Sequence, residues 1–440
     1  MRKILLGTTA VAGAALLSLG VAQAQGLQGY LAGEPRGTPS PTTGVPGSAA
    51  APGTFGVRLG GYFEFTGGWV DDTADRRAVA IAAGAAGPAR TVGRDSIDFK
   101  TDAEIVVIVN GKAANGLAYG AQIELQVDNF IPQAATTAGT GVDTDEFWGY
   151  VSSPTLGTLM FGDQDSAASQ MAVSLPGAVQ QLGMSTNWDE FVALAADGNR
   201  YLVADINDGN DSSKVIYLSP QFFGFDFGIS FAPNRREGEE FRSVVSGLTA
   251  GTQVLQRDPN DSNRNELSGA IRYRGTFGNI GVAAGLAAHR MDAPENNANL
   301  QDITEYQAGL NLSGFGFTVG GMYRWGKYGG VTGSALPAGR ANSSTWGLGA
   351  TYVTGPWALG AFYARAERDN GGALADRTQS VWGLGASYLL APGMELFANY
   401  TSVTDKNIAP GSAAAVAAGN GPLGNNRDID VIVIGTRITF

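Results

Sequence analysis

The sequence predicts an all-β chain, a transmembrane antiparallel up-and-down β-barrel of sixteen strands. Three observations carry that reading. From Thr54 onward, apolar and polar residues alternate with a period of two in segment after segment. The connections between those segments are long and short by turns. No stretch beyond the first two dozen residues reaches the ~20 apolar residues that a spanning helix needs, so any crossing is made by strands.

Composition narrows the chemistry. The 440 residues include no Cys and a single His. Disulfides, thiolate metal sites, cysteine nucleophiles and multi-histidine metal sites are thereby excluded. The net charge of −11 comes without long basic runs, which excludes nucleic acid as a natural partner. With 44% hydrophobic and only 16% charged residues, the chain does not have the composition of a disordered protein.

The elements follow in chain order. Arg2 and Lys3 precede an apolar stretch from Ile4 to about Val21 and an Ala22-Gln23-Ala24 ending. That is the layout of a secretory signal peptide, assigned to residues 1–24. Its removal leaves 27 basic against 40 acidic residues, a net −13. Residues 25–53 are rich in Gly, Pro, Ser, Thr and Ala and cannot bury a core, so they read as a flexible leader. The barrel domain is 54–440.

Its strands are expected at about 54–70, 94–110, 116–129, 144–152, 157–163, 200–219, 223–233, 263–275, 279–290, 303–312, 315–326, 344–353, 357–367, 377–390, 394–404 and 428–440. In the third, Leu117, Tyr119, Ala121, Ile123, Leu125 and Val127 alternate with Gly120, Gln122, Glu124 and Gln126. Successive strand side chains point to opposite faces, so each segment has one apolar face. Short turns are read at Asn110-Gly111-Lys112, Ser153-Pro154-Thr155, Pro220-Gln221, Thr276-Phe277-Gly278, Ser313-Gly314, Gly355-Pro356 and Ala391-Pro392-Gly393. The longest connection, Gln164–Asn199, is the third long one, and loops of that length are usually functional.

A bilayer explains this pattern. Hydrocarbon offers no partner to backbone N–H and C=O groups, so a spanning sheet closes on itself with its apolar face outward. Trp69, Tyr150, Trp325, Trp357 and Tyr400 lie near strand ends, as interfacial girdles require. A soluble β-sandwich also alternates, but it needs neither the girdles nor the loop asymmetry.

The chain ends in Phe440, with Ile438, Ile434 and Ile432 at alternate positions before it and Thr436 breaking the apolar series. This ending resembles the C-terminal signal that outer-membrane proteins carry for insertion. Val57-Arg-Leu-Gly-Gly-Tyr-Phe-Glu64, Leu159-Met-Phe-Gly-Asp163, and Tyr217-Leu-Ser-Pro220 with Phe223-Gly-Phe225 occur in the order of matching segments in one family. Over 54–440 the chain resembles the Gram-negative general porins, sixteen-stranded and trimeric; the 25–53 leader departs from that pattern.

The resemblance implies a water-filled channel in the outer membrane, reached through the periplasm, for passive diffusion of small hydrophilic solutes and ions. It implies that the third long loop folds into the lumen as a constriction. The acids there are Asp163, Asp165, Asp189, Glu190 and Asp197; the wall supplies Arg58, Lys100, Arg272, Arg274 and Arg324 at lumen-facing positions. Opposed rows of charge would set a transverse field and bias which ions pass. It further implies a homotrimer in contact with outer-membrane lipid and lipopolysaccharide, assembled by the insertion machinery through Phe440 and Ile438. Gly281, Ala283, Gly285 and Ala287 are read as outward small residues for close subunit packing.

No cofactor is required. The acidic runs Asp143–Glu146 and Asp205–Asp211 have ligands suited to Ca²⁺, though solvated loops share that composition. His289, with no Ser nearby, is read as a solvated or interfacial residue rather than part of a barrel enzyme. The alternatives within the class are a substrate-specific channel and a non-pore surface barrel such as an adhesin.

Overall fold

A computed structural model of the chain describes residues 53–73, 95–126, 143–177, 179, 182–184, 188–192, 201–209, 211–235, 263–295, 297–330, 335–372, 374–408 and 426–440, with two-residue strands at 79–80, 91–92, 241–242 and 254–255. The signal-peptide and leader assignments, and Asp197, lie outside the described residues.

Sixteen antiparallel strands close into one barrel: β1 (Thr54–Asp72), β2 (Ile97–Lys112), β3 (Ala118–Gln126), β4 (Asp143–Ser153), β5 (Gly157–Asp163), β6 (Ser213–Leu218), β7 (Phe225–Asn234), β8 (Arg264–Phe277), β9 (Ile280–Asp292), β10 (Ile303–Gly314), β11 (Phe317–Lys327), β12 (Ser343–Thr354), β13 (Trp357–Arg368), β14 (Arg377–Ala391), β15 (Met394–Lys406) and β16 (Asn426–Thr439). Each pairs with its chain neighbours, and β1 pairs with β16 from Tyr62↔Thr439 to Asp72↔Ile429. The first residues of β1 run past the end of β16 and pair with β2 alone, beginning at Thr54↔Lys112.

Burial is inverted relative to a soluble protein. On β7, Phe225, Phe227, Ile229 and Phe231 are exposed on the outer face, while Asp226, Gly228, Ser230 and Ala232 are covered on the inner one. In water, leaving each such side chain exposed forfeits about 1.5–3 kcal/mol. The arrangement is stable only where hydrocarbon meets the outer face.

Aromatic pairs mark both ends of that face. Tyr306–Trp325, Trp346–Tyr363 and Trp382–Tyr400 stand toward the long connections, at 5.6, 5.4 and 5.1 Å between ring centroids. Phe317–Tyr352 and Trp357–Tyr388 stand toward the short turns, at 4.3 and 4.7 Å. Tyr150 is not in a girdle: it faces inward, and its hydroxyl donates to Asn110 Oδ1 at 2.6 Å.

The turns differ from expectation in detail. Asn110–Lys112 continue β2, opposite Ala118–Gly120, and the turn lies at Ala113–Leu117. The two-residue loop after β10 is Phe315-Gly316, with φ of 53° and 83°. Positive φ at both central residues gives the twist that hairpins favour, and glycine takes the second at no steric cost.

The larger correction concerns 200–219. Only Ser213–Leu218 is strand. Residues 201–209 and 211–212 belong to the preceding connection, which therefore runs from Gln164 to Ser212. The apolar alternation fails across Asp205–Asp211, and left-handed residues at Gly209 (φ 84°) and Asp211 (φ 47°) turn the chain before β6 begins.

Candidate functional site

The Gln164–Ser212 connection packs against inward-facing side chains. Ser166 caps a short helix, α1 (Ala167–Met171), accepting from the Ser169 amide at 3.2 Å. The first amides of a helix have no partner within it. Here the wall provides them: Ala167 N donates to Ser230 Oγ at 3.0 Å and Ala168 N to Ser268 Oγ at 3.2 Å.

The chain continues along the wall to a 3₁₀ turn at Trp188–Glu190. Trp188 stacks edge-on against Tyr201, 4.2 Å between centroids, and donates to Met184 O. The returning limb hangs by its backbone from polar wall residues. Leu202 N and Val203 N donate to Gln379 Oε1, Ile206 N to Gln307 Oε1, and Asn207 N to Glu305 Oε2. Lys214 closes the neck: it donates to Gln164 O and lies 4.0 Å from Glu266, both side chains fully buried.

The expected acids separate into two groups. Asp163 and Asp165 stand at the root of the loop, both buried. Asp163 accepts from Ser213 Oγ, and Asp165 lies within 4.8 Å of Glu146 and Asp211 at their carboxylates. Asp189 and Glu190 stand at the far turn, and Glu190 pairs with Lys100, which is also 3.6 Å from Asp102. Of the expected opposition between loop acids and wall bases, the structure brings Lys100 and Glu190 together.

Arg272, Arg274 and Arg324 find carboxylates on the wall itself. Arg272 and Arg274 share Asp226, at 3.2 and 2.6 Å. Arg324 binds Glu305 through Nε and Nη2 at 3.1 and 2.7 Å, donates to Ala204 O, and covers the Tyr328 ring at 3.7 Å. Burial pushes the Tyr328 phenol up to about 12, against the Arg324 charge, which pulls the other way. Arg58 is exposed near the short-turn end of β1.

Sequence reasoning passed over three further buried pairs: Arg377–Asp405 at 2.7 Å, Arg427–Asp72 at 3.0 Å, and Arg437–Glu64 at 3.4 Å with Arg437 over the Tyr62 ring. Strand parity exposes these bases to the lumen, but the partners become visible only once register is known.

The acidic runs considered for Ca²⁺ are split between two carboxylate sets. Asp145 meets Glu104 and Glu124, and Glu146 meets Asp165 and Asp211. Glu104 and Glu124, on β2 and β3, were not anticipated. Their signal was the inward parity of a polar residue in an alternating strand.

Two readings are corrected. Gly281, Ala283, Gly285 and Ala287 face inward: Ala287 clusters with Ala168, Ala172 and Ile206 of the loop, and Leu286 and Ala288 take the outer face. His289 is fully buried rather than solvated, with Nε2 3.8 Å from Glu266 Oε1. Both follow from parity on β9, where an odd-numbered residue faces the lumen. Phe440, 63% exposed, exchanges backbone hydrogen bonds with Gly61, and Ile438 faces outward beside it.

A closed barrel with an apolar exterior, a charged interior and a loop laid along its inner wall defines the class of outer-membrane channels. The family model of Gram-negative porins matches residues 9–408, and the chain belongs to that family. Among solved structures it is similar to an anion-selective porin from Comamonas acidovorans (15% identity, TM-score 0.55, covering 88% of this chain and 100% of that one). It is also similar to OmpT of Vibrio cholerae in its trimer form (13% identity, TM-score 0.52, covering 88% and 99%). A porin refined at 1.8 Å resolution aligns similarly (15% identity, TM-score 0.52, covering 88% and 100%). At these identities the likeness concerns the fold alone. No curated protein matches the sequence.

Proposed function

We propose that the barrel is a passive pore for small hydrophilic solutes and ions, narrowed by the Gln164–Ser212 connection. The observation that carries this is the loop itself, whose limbs are bonded to inward-facing side chains while the outer face is apolar. A sixteen-stranded wall is too wide to be filled by its own side chains, so it needs such a narrowing to be selective. Diffusion down a gradient needs no catalytic group.

Glu104, Glu124 and Asp145 form one buried acidic set, and Glu146, Asp165 and Asp211 form another. The net −13 favours cations modestly, since exposed charges are screened within ~8 Å at physiological salt. Residues 1–24 serve export and residues 25–53 remain as a leader. The chain assembles as a homotrimer among outer-membrane lipid and lipopolysaccharide, and its C-terminal Phe440 and Ile438 are read by the insertion machinery.

Planar-bilayer recording tests the reading. Ohmic conductance with a small cation-side reversal potential in a KCl gradient is expected. Deleting residues 170–190 should raise conductance while the barrel persists. Saturation by one solute class would replace the reading with a substrate-specific channel, and silence would replace it with a non-pore surface barrel.

A further inference from the structure

The strands behind the descending limb of the loop present glycines. Val173 lies over Gly309 of β10, Pro176 over Gly349 of β12 and Gly177 over Gly360 of β13. In each case a methyl group on the wall glycine would fall well inside the 3.4 Å of ordinary contact, against the loop's carbonyl oxygen. Gly285 meets Val173 Cγ2 and Gly385 meets Leu182 Cδ2, each at 3.0 Å from where a Cβ would stand.

The spacing is regular. From Val173 to Pro176 is three residues, about 10 Å of extended chain, and from β10 to β12 is two strand spacings, also about 10 Å. The limb therefore runs across the strands, nearly flat on the wall. Two hydrogen bonds hold it there: Gly177 N to Thr351 Oγ1 at 2.9 Å, and Asn311 Nδ2 to Ser174 O at 3.1 Å.

We infer that these wall glycines are positioning residues that set the bore of the pore. Glycine within a strand often marks the close approach of another backbone. Here the absent side chains let the loop's carbonyls sit directly on the sheet. A carbonyl is backbone and cannot rotate away from an added methyl, so the loop as a whole must move toward the axis. Space gained by the wall is taken from the channel. The inference rests on the channel reading above and adds to it a location: part of the constriction is specified in the barrel, on the side away from the water.

Single-channel recording in planar bilayers tests it, each variant being checked first for a heat-resistant barrel. Gly309→Ala and Gly349→Ala are expected to lose conductance, and the double variant to lose more. Gly56→Ala is the control, since nothing lies within 4 Å of a Cβ there, and should match the wild type. Should the first variants fail to assemble, Gly285→Val is the gentler change, because its neighbour is the Val173 side chain. It should lower conductance, and adding Val173→Ala should restore it. Folded variants at Gly309, Gly349 or Gly285 that conduct as the wild type does would overturn the inference. A wild-type protein that forms no channel would instead overturn the channel reading.

Discussion

Replacing Arg324 with Ala should destabilise the protein by about 3–5 kcal/mol, the range for removing one partner of a buried ion pair. Arg324 and Glu305 have side chains 1% and 0% exposed. Arg324 is held by two hydrogen bonds to Glu305, one to Ala204 O at 3.3 Å, and a ring contact with Tyr328. Its loss leaves Glu305 with the Asn207 amide, at 3.1 Å, as its remaining hydrogen-bond donor. Two magnitudes compete. If water filled the gap, the change would cost only the ~1 kcal/mol of ordinary hydrogen bonds. The returning limb covers Glu305, so the larger value should prevail.

A double-mutant cycle separates the cases. Glu305→Gln in the Arg324→Ala background removes the stranded charge, so the pair should cost about 2–3 kcal/mol less than the sum of the single variants. Equilibrium unfolding in urea, in lipid vesicles and followed by tryptophan fluorescence, gives the free energies. Additive costs, or an Arg324→Ala protein within about 0.5 kcal/mol of wild type, would refute the argument.

Other consequences are as direct. Lys100→Ala should move the reversal potential toward cations and Glu190→Gln away from them; equal potentials in both would remove the pair from the permeation path. Deleting Phe440 takes away the backbone bonds to Gly61 at the seam, so the yield of heat-resistant barrel should fall further than for Arg272→Ala. Asp369, between strands β13 and β14, accepts from the backbone amide of Ala341, in the connection between β11 and β12, and from that of Gly371, and the two hold its carboxyl below the ordinary 3.8. A lowered folded value stabilises the loop contact above 3.8, and the contribution is lost as pH falls through the folded value. The protection factors of those two amides, their exchange rates relative to the intrinsic rate at the same pH, should therefore fall in acid, and Asp369→Ala should remove the dependence.

The barrel was legible because a strand with lipid on one side and water on the other writes its geometry at every second residue. Phe225–Asn234 and Met394–Lys406 needed nothing more. Legibility failed where side chains on both faces are small. On β9, Gly281, Ala283, Gly285 and Ala287 look as lipid-facing as Val282, Ala284 and Ala288, and only Leu286 breaks the tie. It failed again at 201–212, where a loop packed on a wall acquires apolar residues for the same reason that a strand does.

Charge pairing was half readable. Parity placed Arg272 and Arg324 in the lumen. Their partners depend on register, which sets Arg272 directly across from Asp226 but Arg324 across from Gln307, so that it reaches Glu305 diagonally. The glycines under the loop were hidden for another reason: an absent side chain carries no pattern until the segment covering it is in place.

The overhang of β1 beyond β16 divides the rim into a joined part and a free ledge. The zipper of first to last strand starts at Tyr62, and residues ahead of Gly60 are gripped from one flank only. A dye or affinity handle attached at Gly56, where the surroundings are open, would sit on that ledge without disturbing the lock that completes the cylinder. The protein thus offers a labelling point at the short-turn end of the barrel that is mechanically separate from both the loop in its lumen and its closure.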